Sequence, residues 1–182
     1  MMKKSLRTIG AGIVAIGMLA CGGSQTTPEV ETSDIPKWAL TPPGACGVGI
    51  SKVRGNLGMA QKTSEARGRD ALARQLQTKV QGMMKDYQQS GEAEAKDFTE
   101  ELTTQVSRQL VDTTLIGTST RLAHVSQEGP QQYFALVCLQ PDAFIGAFEK
   151  MKELNGKQRE ALKSRASLEF KDLDEQLEKL RQ

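Results

Sequence analysis

The chain has 182 residues, with 24 Lys and Arg against 22 Asp and Glu, 4% aromatic residues, three cysteines and one histidine. Lys3, Lys4 and Arg7 account for three of the cations, so everything after them is near neutral and slightly acidic, and the sequence pI of 8.4 overstates the basicity. A near-neutral chain without a run of cations lacks the electrostatic footprint of a nucleic-acid binder, and at this length one domain with a mostly aliphatic core is expected.

The first element is a leader. Behind the early cations, Ile9 to Ala20 is an uncharged run of Ile, Val, Leu, Met, Ala and Gly ending at Cys21. A basic start followed by about a dozen apolar residues is the layout of a secretory signal, too short for the roughly 20 residues of a stable spanning helix. Its end, Met18-Leu19-Ala20-Cys21 followed by Gly22-Gly23-Ser24, resembles the lipobox of bacterial lipoproteins, with Met18 where Leu, Val or Ile is usual. The resemblance implies cleavage before Cys21, which then carries a diacylglycerol thioether and an amide-linked acyl chain. Several chains make a lasting membrane anchor, whereas one alone is marginal. Gly22 in place of Asp after the cysteine implies sorting to the outer membrane by the same analogy. The alternative is an ordinary secreted protein in which Cys21 is incidental.

Residues 1–20 are thus the expected leader and 21–44 a lipidated tether. Gly22 to Asp34 is rich in Gly, Ser, Thr, Pro and Glu and has no apolar periodicity with which to order itself. Ile35, the only tryptophan, Trp38, and Thr41-Pro42-Pro43-Gly44 then stiffen the approach to the domain. Trp38 is expected to pack as the first fixed point of the fold, with ligand stacking as its alternative role.

A small α+β domain is predicted over residues 45–154. Ala45 to Ser51 alternates Cys46, Val48 and Ile50 on one face with Gly47 and Gly49 on the other, as in a strand closely approached by another backbone. Asn56 is positioned to cap a long helix over 59–87, with Ala66, Ala73, Leu76, Val80, Met83 and Tyr87 as its apolar stripe. The small residues Ala66, Gly68, Ala71 and Ala73 suit a close approach to a sheet. Ser90-Gly91 breaks the pattern, and Asp97 and Glu100 have the spacing of a capping box for a second helix carrying Phe98, Leu102, Val106 and Leu110.

Thr113 to Ser126 and Gln131 to Leu139 read as strands joined by a hairpin at Gln127-Glu128-Gly129-Pro130, the second strand apolar on both faces and therefore interior. The expected architecture is a three-stranded antiparallel sheet packed by a long helix or helix pair, with helices at the carboxyl end. Pro141-Asp142 opens one carrying Phe144, Ile145, Phe148 and Met151, which Asn155-Gly156 is expected to stop. Residues 155–182 then form a last amphipathic helix. Its seam of Ala166, Phe170, Leu173, Leu177 and Leu180 is spaced like a short coiled coil, to fold back on the domain or to pair with another chain.

Read in order, Pro36-Lys37-Trp38, Gly47-Val48-Gly49-Ile50-Ser51, the helix with Ala66-Arg67 and Leu72-Ala73, and Tyr133-Phe134-Ala135-Leu136-Val137 resemble the LPP-twenty family of bacterial lipoproteins over residues 36–143. That family includes surface antigens and flagellum-associated outer-membrane lipoproteins. The resemblance implies a helix or helix pair on a small antiparallel sheet, a structural or assembly role at the outer membrane, and no catalytic residues to carry over.

The residues themselves offer little chemistry. His124 is the only histidine and lies mid-strand without a clustered Cys or carboxylate, so neither a metal site nor a triad is indicated. No serine has a nucleophile-elbow setting. The chain is expected to be non-enzymatic, with no catalytic, cofactor-binding or metal-binding residue. Cys46 and Cys138 remain for an oxidising compartment, where pairing is permitted. Antiparallel neighbouring strands, reached by one net helical crossing, would bring them onto one face; a true helical hairpin over 59–110 would make the strands parallel and hold them apart.

The candidate interaction residues are Trp38, Phe170, Leu173, Leu177 and Leu180. Expected partners are the membrane through Cys21, and either a second copy of the chain or envelope and flagellar proteins, with no nucleic acid. The domain would face the periplasm or the cell surface. A ligand-binding module, with Trp38 and the Met83-Met84 region lining an apolar pocket, is the alternative.

Overall fold

The computed structural model describes residues 34–90 and 99–180. The leader, Cys21 and the tether up to residue 33 lie outside these residues, as do Asp97 and Phe98 of the expected capping box. The described elements belong to one compact unit, Thr32–Gln182, so the carboxyl segment set apart in the sequence is part of the same body. Strand pairing, both core clusters and a disulfide are internal to this unit, which therefore holds what it needs to fold alone.

A short helix, α1 (Lys37–Leu40), carries Trp38 into the core, where it is 7% exposed. Strand β1 (Cys46–Lys52) follows, and then helix α2 (Leu57–Gln89), which begins behind Asn56. The Asn56 carboxamide oxygen accepts from the Met59 N–H at 2.9 Å, satisfying one of the orphan donors of the first turn.

Helix α3 (Glu100–Leu115) is capped by Thr99, whose hydroxyl accepts from the Leu102 N–H at 3.2 Å. It extends past the point where the Thr-rich sequence suggested a strand. Thr113 and Thr114 donate their hydroxyls to the carbonyls of Gln109 and Leu110 at 2.8 and 2.7 Å, an arrangement that seats these β-branched residues in the last helical turn. Strands β2 (Ser119–Val125) and β3 (Gln132–Cys138) form the expected hairpin, with Gly129 at φ +66° in its turn.

Helix α4 (Pro141–Glu149) ends before Asn155, which does not stop it. Asn155 instead opens α5 (Gly156–Phe170) through a reciprocal capping box with Gln158, the two hydrogen bonds at 2.8 and 2.9 Å. The last helix is not continuous either: the chain turns at residues 171–172 into α6 (Leu173–Lys179).

The fold is α+β, a three-stranded antiparallel sheet with the long α2 packed on it and the carboxyl-terminal helices beside it. Its order is β1-β3-β2, which makes β3 the interior strand. Cys46, Val48 and Ile50 of β1 face the same way as their partners Cys138, Leu136 and Phe134. Ile35 and Trp38 belong to the core cluster on that side. The opposite face meets α2 through Ala60, Ser64 and Gly68, and a Cβ built on Gly49 would lie 1.8 Å from the Ser64 carbonyl oxygen. The close approach exists as expected, but with a different helical phase: Ala66 is exposed and Ala73 only half-buried, because the polar Ser64 holds the buried position.

The path between β1 and β3 resolves the two alternatives for strand direction in an unforeseen way. Helices α2 and α3 do form a hairpin, yet β1 and β3 are antiparallel. Gly47 lies against Gly68 and Leu72, so α2 reaches the Cys46 end of the sheet near Leu72 and continues past it through residue 89. At 1.5 Å per residue that overhang is about 25 Å, and the 16 residues of α3 return about the same distance. The chain arrives back at the Cys46 end, where Ser119 pairs with Cys138, and β2 leaves in the direction of β1. The hairpin is spent outside the sheet, so it does not count as a crossing.

Candidate functional site

Cys46 and Cys138 are cross-strand partners, 4.0 Å apart at Cα, joined by a disulfide across 92 residues of chain. The bond sits where the sheet meets the helical overhang, with both cysteines fully buried. It ties β1 to β3 at the end of the sheet to which the helical hairpin returns.

The opposite end of the sheet receives the lead-in from the tether. There Asp34 accepts a hydrogen bond from the Glu128 N–H at 2.8 Å and another from the Gln127 N–H, both in the β2–β3 turn. His124 Nε2 lies 3.1 Å from the Asp34 carbonyl oxygen and 3.3 Å from its carboxylate. The Asp34 carboxyl is held below its ordinary value, chiefly by the Glu128 N–H, against the opposing effect of partial burial, with His124 and the Gln127 N–H adding to the lowering. The lone histidine therefore has a partner 90 residues away in sequence, which no local pattern announced.

At the helical end, the seam expected either to fold back on the domain or to pair with another chain is turned inward. Ala166, Phe170, Leu173 and Leu177 are buried in the chain's own core and Leu180 is half-buried against it. Phe144 packs edge-on with both Phe148 and Phe170, at centroid distances of 5.3 and 5.2 Å. Lys79 of α2 lies over the Phe170 ring and pairs with Glu169, while Arg165 lies over the Tyr87 ring at 5.3 Å. In the folded unit these contacts hold α5 to α2, and Leu173 and Leu177 of α6 lie in the same core cluster.

Trp38, Met83 and Met84 are buried in that same cluster. Four clefts at described residues have linings that include none of the three. Among the described residues no three or more His, Cys, Asp or Glu side chains converge as a metal-ligand group. No helix there is long and apolar enough to cross a membrane. Cys21, the expected lipidation site, lies outside the described residues. Compared with known proteins, the chain matches no family model and no curated protein.

Proposed function

We propose that this chain is a lipid-anchored, non-enzymatic component of the bacterial outer membrane, of the LPP-twenty kind, with a structural or assembly role in the cell envelope. The observation that carries the reading is the leader ending in Met18-Leu19-Ala20-Cys21, joined through a Gly/Ser-rich stretch to a folded unit. The disulfide supports it, because such bonds persist in oxidising compartments and are rare in the cytosol. Acylated Cys21 holds the unit at the membrane, and the folded body presents sheet and helix surface to envelope or flagellar proteins or to a second copy.

Lipoprotein processing tests the anchor directly. Cells given globomycin should accumulate the precursor, and Cys21→Ser should abolish incorporation of labelled palmitate. Normal processing under globomycin, or an unlabelled wild-type chain, would remove the anchor and the reading with it.

A further inference from the structure

The end of the sheet that receives the tether carries a second feature, on the α2 side. Strand β1 finishes at Lys52, and the Val53 N–H donates to the Gln131 carbonyl at 2.9 Å, so the β1–α2 loop and the β2–β3 turn that holds Asp34 lie at one end. Between that loop and the first turns of α2 is a cleft of about 490 Å³ lined by Ser51, Lys52, Arg54, Met59 and Arg67 among others. No acidic residue lines it, and within the described residues Lys52, Arg54 and Arg67 form no ion pair. Arg67 donates one guanidinium hydrogen bond to the Ile50 carbonyl, which sets the group across the strand end and leaves the rest of its five donors to the cleft.

Two further observations point to an anion. Ser51 is 9% exposed, faces α2 by strand alternation, and pairs with Tyr133 through its backbone, while its hydroxyl makes no hydrogen bond with any described residue. A hydroxyl on so buried a residue is ordinarily partnered, and this one is left accessible at a residue that lines the cleft. The amino end of a 33-residue helix adds its positive dipole and the uncommitted N–H groups of its first turn. Met59, which lines the cleft, stands 62% exposed and Leu57, two residues before it in the first turn of α2, 51%, apolar side chains set near cations as at a lipid–water interface.

We propose that this cleft binds the phosphate of an anionic membrane phospholipid. The inference rests on the anchor reading for its geometry. Cys21 precedes Asp34 by 13 residues, a chain length whose random-coil span is about 20 Å, so anchoring at Cys21 would keep this end of the body close to the lipid surface. The cations then meet headgroup charge, Ser51 donates to a phosphate oxygen, and Leu57 and Met59 enter the boundary layer.

The test uses the unit Thr32–Gln182, which lacks Cys21 and so separates this site from acylation. It should sediment with vesicles containing phosphatidylglycerol, not with phosphatidylcholine alone, and binding should fall as salt rises. Lys52→Ala with Arg54→Ala should weaken binding about 25-fold, roughly fivefold for each cation removed near the surface. Ser51→Ala should weaken it further without altering Trp38 fluorescence. Absence of binding at low salt, equal binding to both vesicles, or indifference to the cation pair or to Ser51→Ala would overturn the proposal. Inorganic phosphate shifting the Ser51 and Met59 amide resonances in the absence of vesicle binding would assign the cleft to a soluble phosphate and overturn the lipid source. A positive vesicle result with no palmitate on Cys21 would leave this site standing and remove the anchor.

Discussion

The two halves of α2 pack by different rules. Over its first half, the helix lies on β1 and β3 with almost nothing between the backbones: Ala60, Ser64 and Gly68 oppose Gly47, Gly49, Ala135 and Val137. Even Gly68 has no room, since a Cβ there would lie 2.7 Å from a Val137 methyl. Over its second half Leu76, Val80, Met84 and Tyr87 share one core cluster of long side chains with Val106, Leu110, Phe144, Phe148 and Leu162. Contact between backbones leaves no degree of freedom with which to absorb a change, whereas a layer of long side chains can shift rotamers. Ser64 shows the same point from the polar side, because at this range its hydroxyl reaches the Tyr133 carbonyl at 2.8 Å and is buried without cost.

Cutting the bond at the junction of the two halves should have the largest effect. Replacing Cys46 and Cys138 together by Ala removes a cross-link over 92 residues, for which the chain-entropy account gives about 4.5 kcal/mol. Urea denaturation of the oxidised and double-variant proteins measures it, and equal midpoints would show the strands to be held by packing alone. Next comes Gly49→Ala. One methyl group set against the Ser64 backbone should cost about 3 kcal/mol or more, at or beyond the upper end of ordinary overpacking.

The contrasting change in the helical half is Met84→Leu, a volume-conserving swap at a fully buried site. It should cost under about 1.5 kcal/mol by the same denaturation assay. A larger loss there than at Gly49 would reverse the comparison. The smallest effect belongs to the sheet surface. The folded-state pKa of Asp34 is lowered, so its contribution to docking the lead-in is complete above the ordinary aspartate range and is lost as pH falls through the lowered value. Trp38 emission should therefore change on acidification below about pH 4 in the wild type and not in Asp34→Asn, while the helical half keeps its far-ultraviolet dichroism.

Several elements were legible from neighbouring residues alone. The Cys46/Val48/Ile50 alternation marked β1, Asn56 marked the start of α2, and the two apolar faces of β3 marked it as interior; each rests on a period or a cap that spans a few residues. Local signals misled where two of them competed. Thr113 and Thr114 have strand propensity but satisfy their hydroxyls in the helix, and Asn155-Gly156, which fits a helix stop, is here a helix start. The candidate site was less legible than the fold. Lys52 and Arg54 are separated from Arg67 by a loop and about three helical turns, and only the antiparallel return of α2 along β1 sets the three around one cleft.

The strand period of β1, the capped start of α2, the interior place of β3 and the face on which each cysteine lies were determined by the sequence itself, since hydrophobic period and capping act over short stretches of chain. The direction of β3, the pairing of Asp34 with His124, the inward turn of the Phe170, Leu173 and Leu177 seam and the cation cleft were decided only in three dimensions. Each depends on how far one element runs past another. The overhang of α2 beyond the sheet, matched by the length of α3, is a relation between distant segments, and neither segment encodes it alone.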